Sequence, residues 1–547
     1  MKAIERLVVV GGVAGGASAA ARARRLSEAC AITVFDKGPY VSFANCGLPY
    51  FVGDVIREEK SLIVASPELF RDRFNIEVRT RHEVMSIDRA AREIVVRDLE
   101  SEREFRVPYD ALVLSPGARA IRPPLPGIDL PGVFVLRTIP DSRRIREWLQ
   151  EKDAKRAVVV GGGFIGLEMA ENLAHRGLEV TVVELADQVM PPLDPEVANP
   201  VADHLRENGI KLRTGHGVES FAESATGGLE VRTADGDTLE TDIVILAIGV
   251  QPESGLAREA GLALGERGGI QVDRSMKTDD PHIWAVGDAV EVIDSVSGAR
   301  LQVPLAGPAN RQGRIAADNI FGRDSRFRGV QGTAVCGLFG LTVAATGVGE
   351  KALRRDGNEN YEVAYLHPGH HVGYYPGAKP IHMKLLFDRR DGRVLGAQAT
   401  GEEGVARRID VIAMAIQMNA TVFDLEEAEL CYAPQFGAAK DPVNIAGMIA
   451  ANHVRGDHPL ARWEWIEDGV LVDVRSQAEY ECESIPGALN IPLEELRERA
   501  DELPRDQTLH IYCKVGQRGY YATRLLAQRG FDVRNLSGGI QTWEMFR

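Results

Sequence analysis

Arg6-Leu7-Val8-Val9-Val10-Gly11-Gly12-Val13-Ala14-Gly15-Gly16 is the stretch that decides the fold. An apolar, β-branched run enters a glycine cluster that opens an Ala-rich helix, and Ala31 to Phe35 makes a second strand ending at Asp36, 25 positions after Gly11. This is the order of a βαβ dinucleotide unit: the glycines let the backbone approach a pyrophosphate, the helix N-terminus favours its charge, and Asp36 accepts from ribose hydroxyls. Strand, helix and acid together raise the glycine pattern above a chance turn. A second copy begins 150 residues on, with Ala157 to Val160, Gly161-Gly162-Gly163-Phe164-Ile165-Gly166, a helix over Leu167 to His175, and a strand Val180 to Val183 ending at Glu184. Two fingerprints predict two dinucleotides, as in a flavoprotein reduced by a nicotinamide. Glu184 would bond the adenosine ribose 2′-hydroxyl and repel a 2′-phosphate, which favours NADH over NADPH.

The stretch Ser42-Phe43-Ala44-Asn45-Cys46-Gly47-Leu48-Pro49-Tyr50 places Cys46 thirty residues after Gly16. Its place just after the first unit brings Cys46 close to the cofactor's reactive ring. The next cysteine is Cys336, so Cys46 has no local disulfide partner and must cycle alone, through a mixed disulfide, a persulfide or a sulfenic acid.

At 547 residues the chain needs about three or four domains. A net charge of −15 argues against a nucleic-acid partner, because no domain-wide basic face is available to displace counterions. Six cysteines, at 30, 46, 336, 431, 482 and 513, are too sparse for a disulfide framework or zinc pairs, and point to a reducing cytoplasm with no metal site. The apolar start runs into Arg22, Arg24 and Arg25, as a first strand and helix do and a signal peptide does not. No apolar run reaches the roughly 18 residues of a membrane span.

Leu114-Ser115-Pro116-Gly117-Ala118 and Leu246-Ala247-Ile248-Gly249-Val250 each end a strand in a small-residue turn, and Ile283 to Val290 carries Gly287-Asp288. Strands are expected near Thr333 to Cys336, Tyr361 to His367 and His382 to Phe387, and an apolar helix over Ile409 to Met418. His370 and His371 lack a carboxylate or thiol at ligand spacing and read as loop residues. His, Pro, Gly and charge around 452–465 read as a linker. Beyond it lies a small α/β unit whose strand Leu509 to Tyr512 ends in Cys513-Lys514-Val515-Gly516-Gln517-Arg518 before a helix. Loop amides and a helix start favour negative charge on sulfur and can cradle a persulfide, and Arg518 could bind an anionic donor.

The paired fingerprints, Ser115/Gly117, Gly249 and Gly287-Asp288 resemble the flavoprotein pyridine nucleotide-disulfide reductases, whose nicotinamide domain is inserted into the flavin domain. Asp473-Val474-Arg475, the Cys513 loop and Leu536-Ser537-Gly538-Gly539 resemble a single-domain rhodanese, with Ser484 where that family usually has His. Together with Ser-Phe-Ala-Asn-Cys, the match narrows to the coenzyme A disulfide reductase and rhodanese fusions, also described as NADH-dependent persulfide or polysulfide reductases. The resemblance implies an α/β chain with two Rossmann-like domains, an α+β dimerisation domain and a C-terminal rhodanese α/β domain. The expected boundaries are FAD-binding 1–120 and 251–327, NADH-binding 121–250, dimerisation 328–452, linker 453–465 and rhodanese 466–547.

By the same resemblance FAD falls to Gly11, Gly12, Ala14, Gly15, Asp36, Lys37, Val84, Ser115, Gly117, Gly287 and Asp288, and NADH to Gly161, Gly163, Ile165, Gly166, Glu184 and Gly249. Coenzyme A falls to Ser18, Arg22, Arg25, Ser42, Phe43, Asn45, Asn310 and Lys440. Phe74 stands where relatives can carry a Lys for coenzyme A, and Phe436 where a second loop Tyr often occurs. Tyr374 and Tyr432 match tyrosines that reach the cysteine from the partner subunit of a homodimer. The implied reaction is NADH-dependent reduction, through FAD and Cys46, of coenzyme A persulfide, polysulfide or related sulfane sulfur, with Cys513 relaying sulfur. The rival readings are a coenzyme A disulfide reductase, an NADH oxidase or peroxidase using a Cys46 sulfenic acid, and a flavin redox sensor with a docking module.

Overall fold

The computed structural model describes residues 4–225 and 227–547. The chain divides into two compact units, one running to Leu185 and resuming over Arg213–Val330, the other comprising Ala186–Leu212 and Gln331–Arg547.

In the first unit the strand Arg6–Val10 lies at the centre of a five-stranded parallel sheet, in the order Ile283–Ala285, Ala111–Leu114, Arg6–Val10, Ala31–Asp36, Glu77–Thr80. Both faces of a parallel sheet are covered, so its strands read as continuous apolar runs, and Leu7, Val8 and Val9 are all buried. The chain leaves this sheet after Leu114 and returns to it at Ile283. Between them lies a second parallel arrangement, Glu179–Glu184, Arg156–Val160, Ile243–Leu246 and Val133–Val135. Antiparallel pairing of Ala118–Ala120 with Val250–Pro252 fastens together the points where the chain departs and comes back.

Helix Ala14–Arg24 packs on helix Ala306–Ile320 through small residues. A methyl on Gly313 would strike the Gly15 carbonyl and come within 3.0 Å of the Ala19 nitrogen. The second helix carries Pro308 in its first turn, where its missing N–H costs nothing.

The second unit holds a five-stranded antiparallel sheet in the order Ala334–Leu338, Leu341–Gly347, Val394–Gly401, Ile381–Asp388, Tyr361–Leu366. Its helices include Val405–Gln417 and Pro442–Val454. A further parallel sheet follows, in the order Leu460–Ala461, Val533–Leu536, Leu509–Tyr512, Val470–Asp473, Leu489–Asn490. The stretch expected to be a linker, 453–465, therefore contains a strand of this last sheet. His458 is buried against Asn535, whose amide nitrogen lies 2.9 Å from the His458 Nε2, and Leu460 and Ala461 are buried too. Polar composition concealed side chains that are satisfied inside the fold.

Candidate active site

The Cys46 segment is held against the first glycine cluster. The Ser42 N–H donates to the Gly12 carbonyl (2.9 Å), Ala44 N–H donates to Leu62 O (2.8 Å), and Val64 N–H donates to Ser42 O (2.8 Å). Ser42 takes a left-handed conformation, φ +48°, to make this turn. Asn45–Gly47 forms a 3₁₀ turn and Leu48–Val52 a short helix, with Cys46 exposed at the start. The far end of that helix is seated on the nicotinamide-type unit. Arg176 donates to Val52 O (2.9 Å), Arg146 to Phe51 O (2.7 Å), and Asp54 pairs with both guanidinium groups. Tyr50 and Glu168, Oη to Oε1 3.4 Å, add a further contact to the second fingerprint helix, and burial pushes the Glu168 carboxyl above its ordinary pKa.

The two glycine clusters are built alike. Gly12 N–H donates to Asp36 Oδ2 (2.8 Å) and Gly162 N–H to Glu184 Oε2 (2.6 Å), so each strand-ending acid is locked to its loop. Asp36 also accepts from Gly38 N–H (2.8 Å); burial raises its pKa, while these two N–H groups oppose the shift. Gly11 and Gly161 have positive φ, +90° and +110°, and methyls on Gly16 and Gly166 would collide with their carbonyls. The copies differ at the middle position: Gly163 caps its helix in the second, whereas Val13 does so in the first. Neither helix has a side-chain N-cap bond or an acid in its first turn, so N–H groups are left for an anion. A methyl on Gly163 would meet nothing within 4 Å, which marks space a pyrophosphate can enter. These features fit FAD at the first site and NAD(H) at the second.

Ser115 N–H continues the sheet to Val10 O (2.8 Å), and Gly117 and Gly249 turn with φ +74° and +107°. Gly287 N–H donates to Gln312 Oε1 (2.7 Å). Asp288 Oδ2 is 2.7 Å from Arg137 Nη2, and Arg137 Nε donates to Ala118 O (2.9 Å) while its own carbonyl accepts from Asn45 Nδ2 (3.2 Å). Arg137 thus joins the flavin-type acid to the cysteine segment. Nothing local in the sequence marks it, since its partners lie 151 and 92 residues away. Val84 is half-buried at a bulge in strand His82–Asp88, Ile165 is exposed beside Gly163, and Lys37 is exposed.

Of the residues assigned to coenzyme A, Ser18 and Asn310 meet at 2.5 Å on adjoining helices, and Arg25 is exposed. Arg22 is bound to Asp318 (2.6 and 2.7 Å) with 12% of its side chain exposed, so a phosphate reaching it would have to compete with a shielded ion pair. Arg24 is buried, donating to the carbonyls of Ser27, Glu28, Cys30, Phe74 and Asn75, and ties the helix end to its loop. Phe43 and Asn45 are half-buried beside Cys46.

Within the second unit Tyr374 and Tyr432 touch, hydroxyl to hydroxyl 2.7 Å, and this bond holds the Tyr432 phenol above its ordinary pKa. Lys440 is exposed in the loop after Tyr432, and Phe436, Met414 and Met418 are exposed as well. His371 is buried and His370 bonds the Lys379 backbone. Cys513 ends the strand Leu509–Tyr512 in a buried position, and Gly516, φ +92°, opens helix Gln517–Gln528. Arg518 is held by Glu479 through two bonds of 2.7 Å, and that carboxylate raises its pKa against burial. An anionic donor would have to compete with Glu479 for it.

Residues 5–303 match the family described as pyridine nucleotide-disulphide oxidoreductase, residues 333–441 its dimerisation domain, and residues 460–545 the rhodanese-like domain. The chain is 34% identical over 448 residues to a coenzyme A disulfide reductase of Staphylococcus haemolyticus, covering 82% of this chain and 99% of that protein. It superposes on the crystal structure of reduced Bacillus anthracis CoADR-RHD with a TM-score of 0.97 at 46% identity, covering 100% of this chain and 98% of the other. An NAD-dependent persulfide reductase from A. fulgidus matches with a TM-score of 0.90 at 38% identity, covering 98% and 100%. With both dinucleotide cradles, a dimerisation domain and a C-terminal rhodanese-like domain in one chain, this protein belongs to the pyridine nucleotide-disulphide oxidoreductase family.

Proposed function

We propose that the protein uses NADH to reduce the sulfane sulfur of coenzyme A persulfide, polysulfide or a related substrate to sulfide, with Cys46 as its redox cysteine. The observation that carries this reading is the Ser42–Gly12 bond, which seats the exposed Cys46 segment on the flavin-type glycine cluster while a second sulfur nucleophile, Cys513, stands in its own module. FAD bound at the first cradle would store two electrons between NADH and the cysteine. The Cys46 thiolate attacks the outer sulfur of R–S–SH, expelling RS⁻ and becoming Cys46–S–SH. Two electrons and a proton then restore the thiolate and release H₂S, so that the sum is R–S–SH + NADH + H⁺ → R–SH + H₂S + NAD⁺. Attack at the inner sulfur instead expels HS⁻ and leaves a mixed disulfide, opened by the same two electrons.

In this account Ser18, Asn310, Arg25, Phe43 and Asn45 meet coenzyme A, while Arg22 acts through Asp318 as a brace. The protein works as a cytoplasmic homodimer in which Tyr374, Tyr432 and Lys440 of one subunit face Cys46 of the other. The flavin, nicotinamide and dimerisation domains take the boundaries expected above, and the rhodanese unit begins near 460. Coenzyme A disulfide reduction is the second reading, supported by the name of the Staphylococcus haemolyticus relative. Steady-state kinetics with NADH against coenzyme A persulfide, polysulfide, coenzyme A disulfide and peroxide tests the proposal. A persulfide preference of about a hundredfold in kcat/KM, about 2.7 kcal/mol, is expected, and an equal preference for peroxide would refute it.

A further inference from the structure

The Cys513 loop takes its shape from the turn beneath it. Ile540 N–H donates to Cys513 O (2.8 Å) and Gln541 N–H to Lys514 O (3.1 Å), and a methyl on Gly539 would strike both of these carbonyls. That turn is held in place from outside the rhodanese-like sheet. The Ser537 hydroxyl accepts from Tyr365 N–H (2.8 Å) and donates to Tyr365 O (3.2 Å), closing both groups that this residue presents from the strand Tyr361–Leu366 at the edge of the antiparallel sheet. Trp463 Nε1 donates to Ser537 O (3.0 Å), and His367 Nε2 and Thr542 Oγ1 lie 2.8 Å apart. Ser537 and Thr542 are fully buried and Tyr365 nearly so, so water cannot replace these bonds.

We propose that Ser537 is a positioning residue for sulfur transfer at Cys513: by gripping both backbone groups of Tyr365 it fastens the turn, and with it the Cys513–Gly516 loop, to the antiparallel sheet. The sulfur-carrying loop is then a joint product of two modules of the same chain, and Cys513 stays at a fixed place on that sheet. The proposal rests on reading Cys513 as a sulfur-transfer nucleophile. Its assay reaction is the attack of the Cys513 thiolate on the outer sulfur of thiosulfate. The S–S bond of thiosulfate breaks, sulfite leaves with the electron pair, and the resulting persulfide gives its outer sulfur to cyanide as thiocyanate.

The test uses the full-length, FAD-loaded protein and the variants Ser537→Ala and Ser537→Thr. Losing the hydroxyl leaves two buried backbone groups without partners, so Ser537→Ala is expected to lower kcat about tenfold with thiosulfate KM within about twofold. Alkylation of the buried Cys513 by iodoacetamide should become faster. Ser537→Thr, which keeps the hydroxyl, should restore both properties, and NADH-dependent reduction of coenzyme A disulfide at Cys46 should stay within about twofold throughout. An alanine variant with wild-type kcat and alkylation rate overturns the proposal, as does an equal loss at Cys46, which would report general unfolding. If the wild-type protein transfers no sulfur, the reading of Cys513 fails, while the alkylation comparison still decides on the positioning.

Discussion

Gly163 and Gly166 sit three residues apart in one glycine cluster, and the structure assigns them opposite reasons for being glycine. At Gly163 the backbone is extended, φ −82° and ψ −176°, a conformation open to any residue, and a methyl would meet no protein atom within 4 Å. Gly163→Ala should therefore leave stability within about 0.5 kcal/mol of wild type. At Gly166 a methyl would collide with the Gly161 carbonyl, an overlap that backbone must move to relieve, so Gly166→Ala should cost about 1–3 kcal/mol. Ligand binding reverses this ranking for Gly163. Its methyl would fill the space in front of the helix N–H groups, and loss of one charge-assisted bond to a pyrophosphate, about 1.5–3 kcal/mol, weakens NADH binding by roughly 10- to 150-fold. Thermal unfolding and a fluorescence titration with NADH read the two quantities separately, and the visible flavin spectrum should be unchanged. Wild-type NADH affinity in a stable Gly163→Ala protein would refute the assignment of this loop to the nicotinamide dinucleotide.

Lys384 is fully buried and bonds Asp194 (2.9 Å), Glu196 (2.5 Å) and Glu350 (2.6 Å). Burial disfavours its charge, but Tyr365 and these carboxylates more than offset the penalty and hold its pKa above the ordinary value. Lys384→Met leaves three carboxylates close together without that cation and should lower the stability of the second unit by about 3–5 kcal/mol, measured by chemical denaturation; a loss below about 1 kcal/mol would contradict it. His367 is half-buried and His458 buried, and desolvation lowers each pKa to about 3. Between about pH 6.5 and 3 the unfolded chain binds more protons than the folded one at these sites, so stability should fall with falling pH by roughly 1.4 kcal/mol per pH unit for each. Denaturation midpoints for wild type and His367→Asn, measured from pH 7 to 5, should converge at the acidic end, and parallel curves would contradict this.

What was legible in the sequence was local. The strand, glycines, helix and acid of each dinucleotide unit fall within 31 consecutive positions from Arg6 to Asp36 and 29 from Arg156 to Glu184, so their periodicity and spacing carry the fold directly. Contacts between distant segments were hidden. Arg22 and Asp318 are 296 positions apart and Ser537 and Tyr365 are 172 apart, and nothing near either residue signals the pairing. Arg24 is hidden for another reason: an arginine on a helix is usually exposed, and only the five carbonyls gathered around it make its burial favourable. Leu460–Ala461 is a strand too short to show alternation, and it became visible only through its partner strand Val533–Leu536.

In the proposed reaction Cys46 is where sulfane sulfur is cut loose as sulfide. Sulfide release from coenzyme A persulfide under anaerobic conditions, with NADH as reductant and wild-type protein compared with Cys46→Ser, tests it most directly. The variant should keep its FAD and still bleach with NADH, but release sulfide at least about a hundredfold more slowly. Sulfide release by Cys46→Ser at the wild-type rate would contradict it.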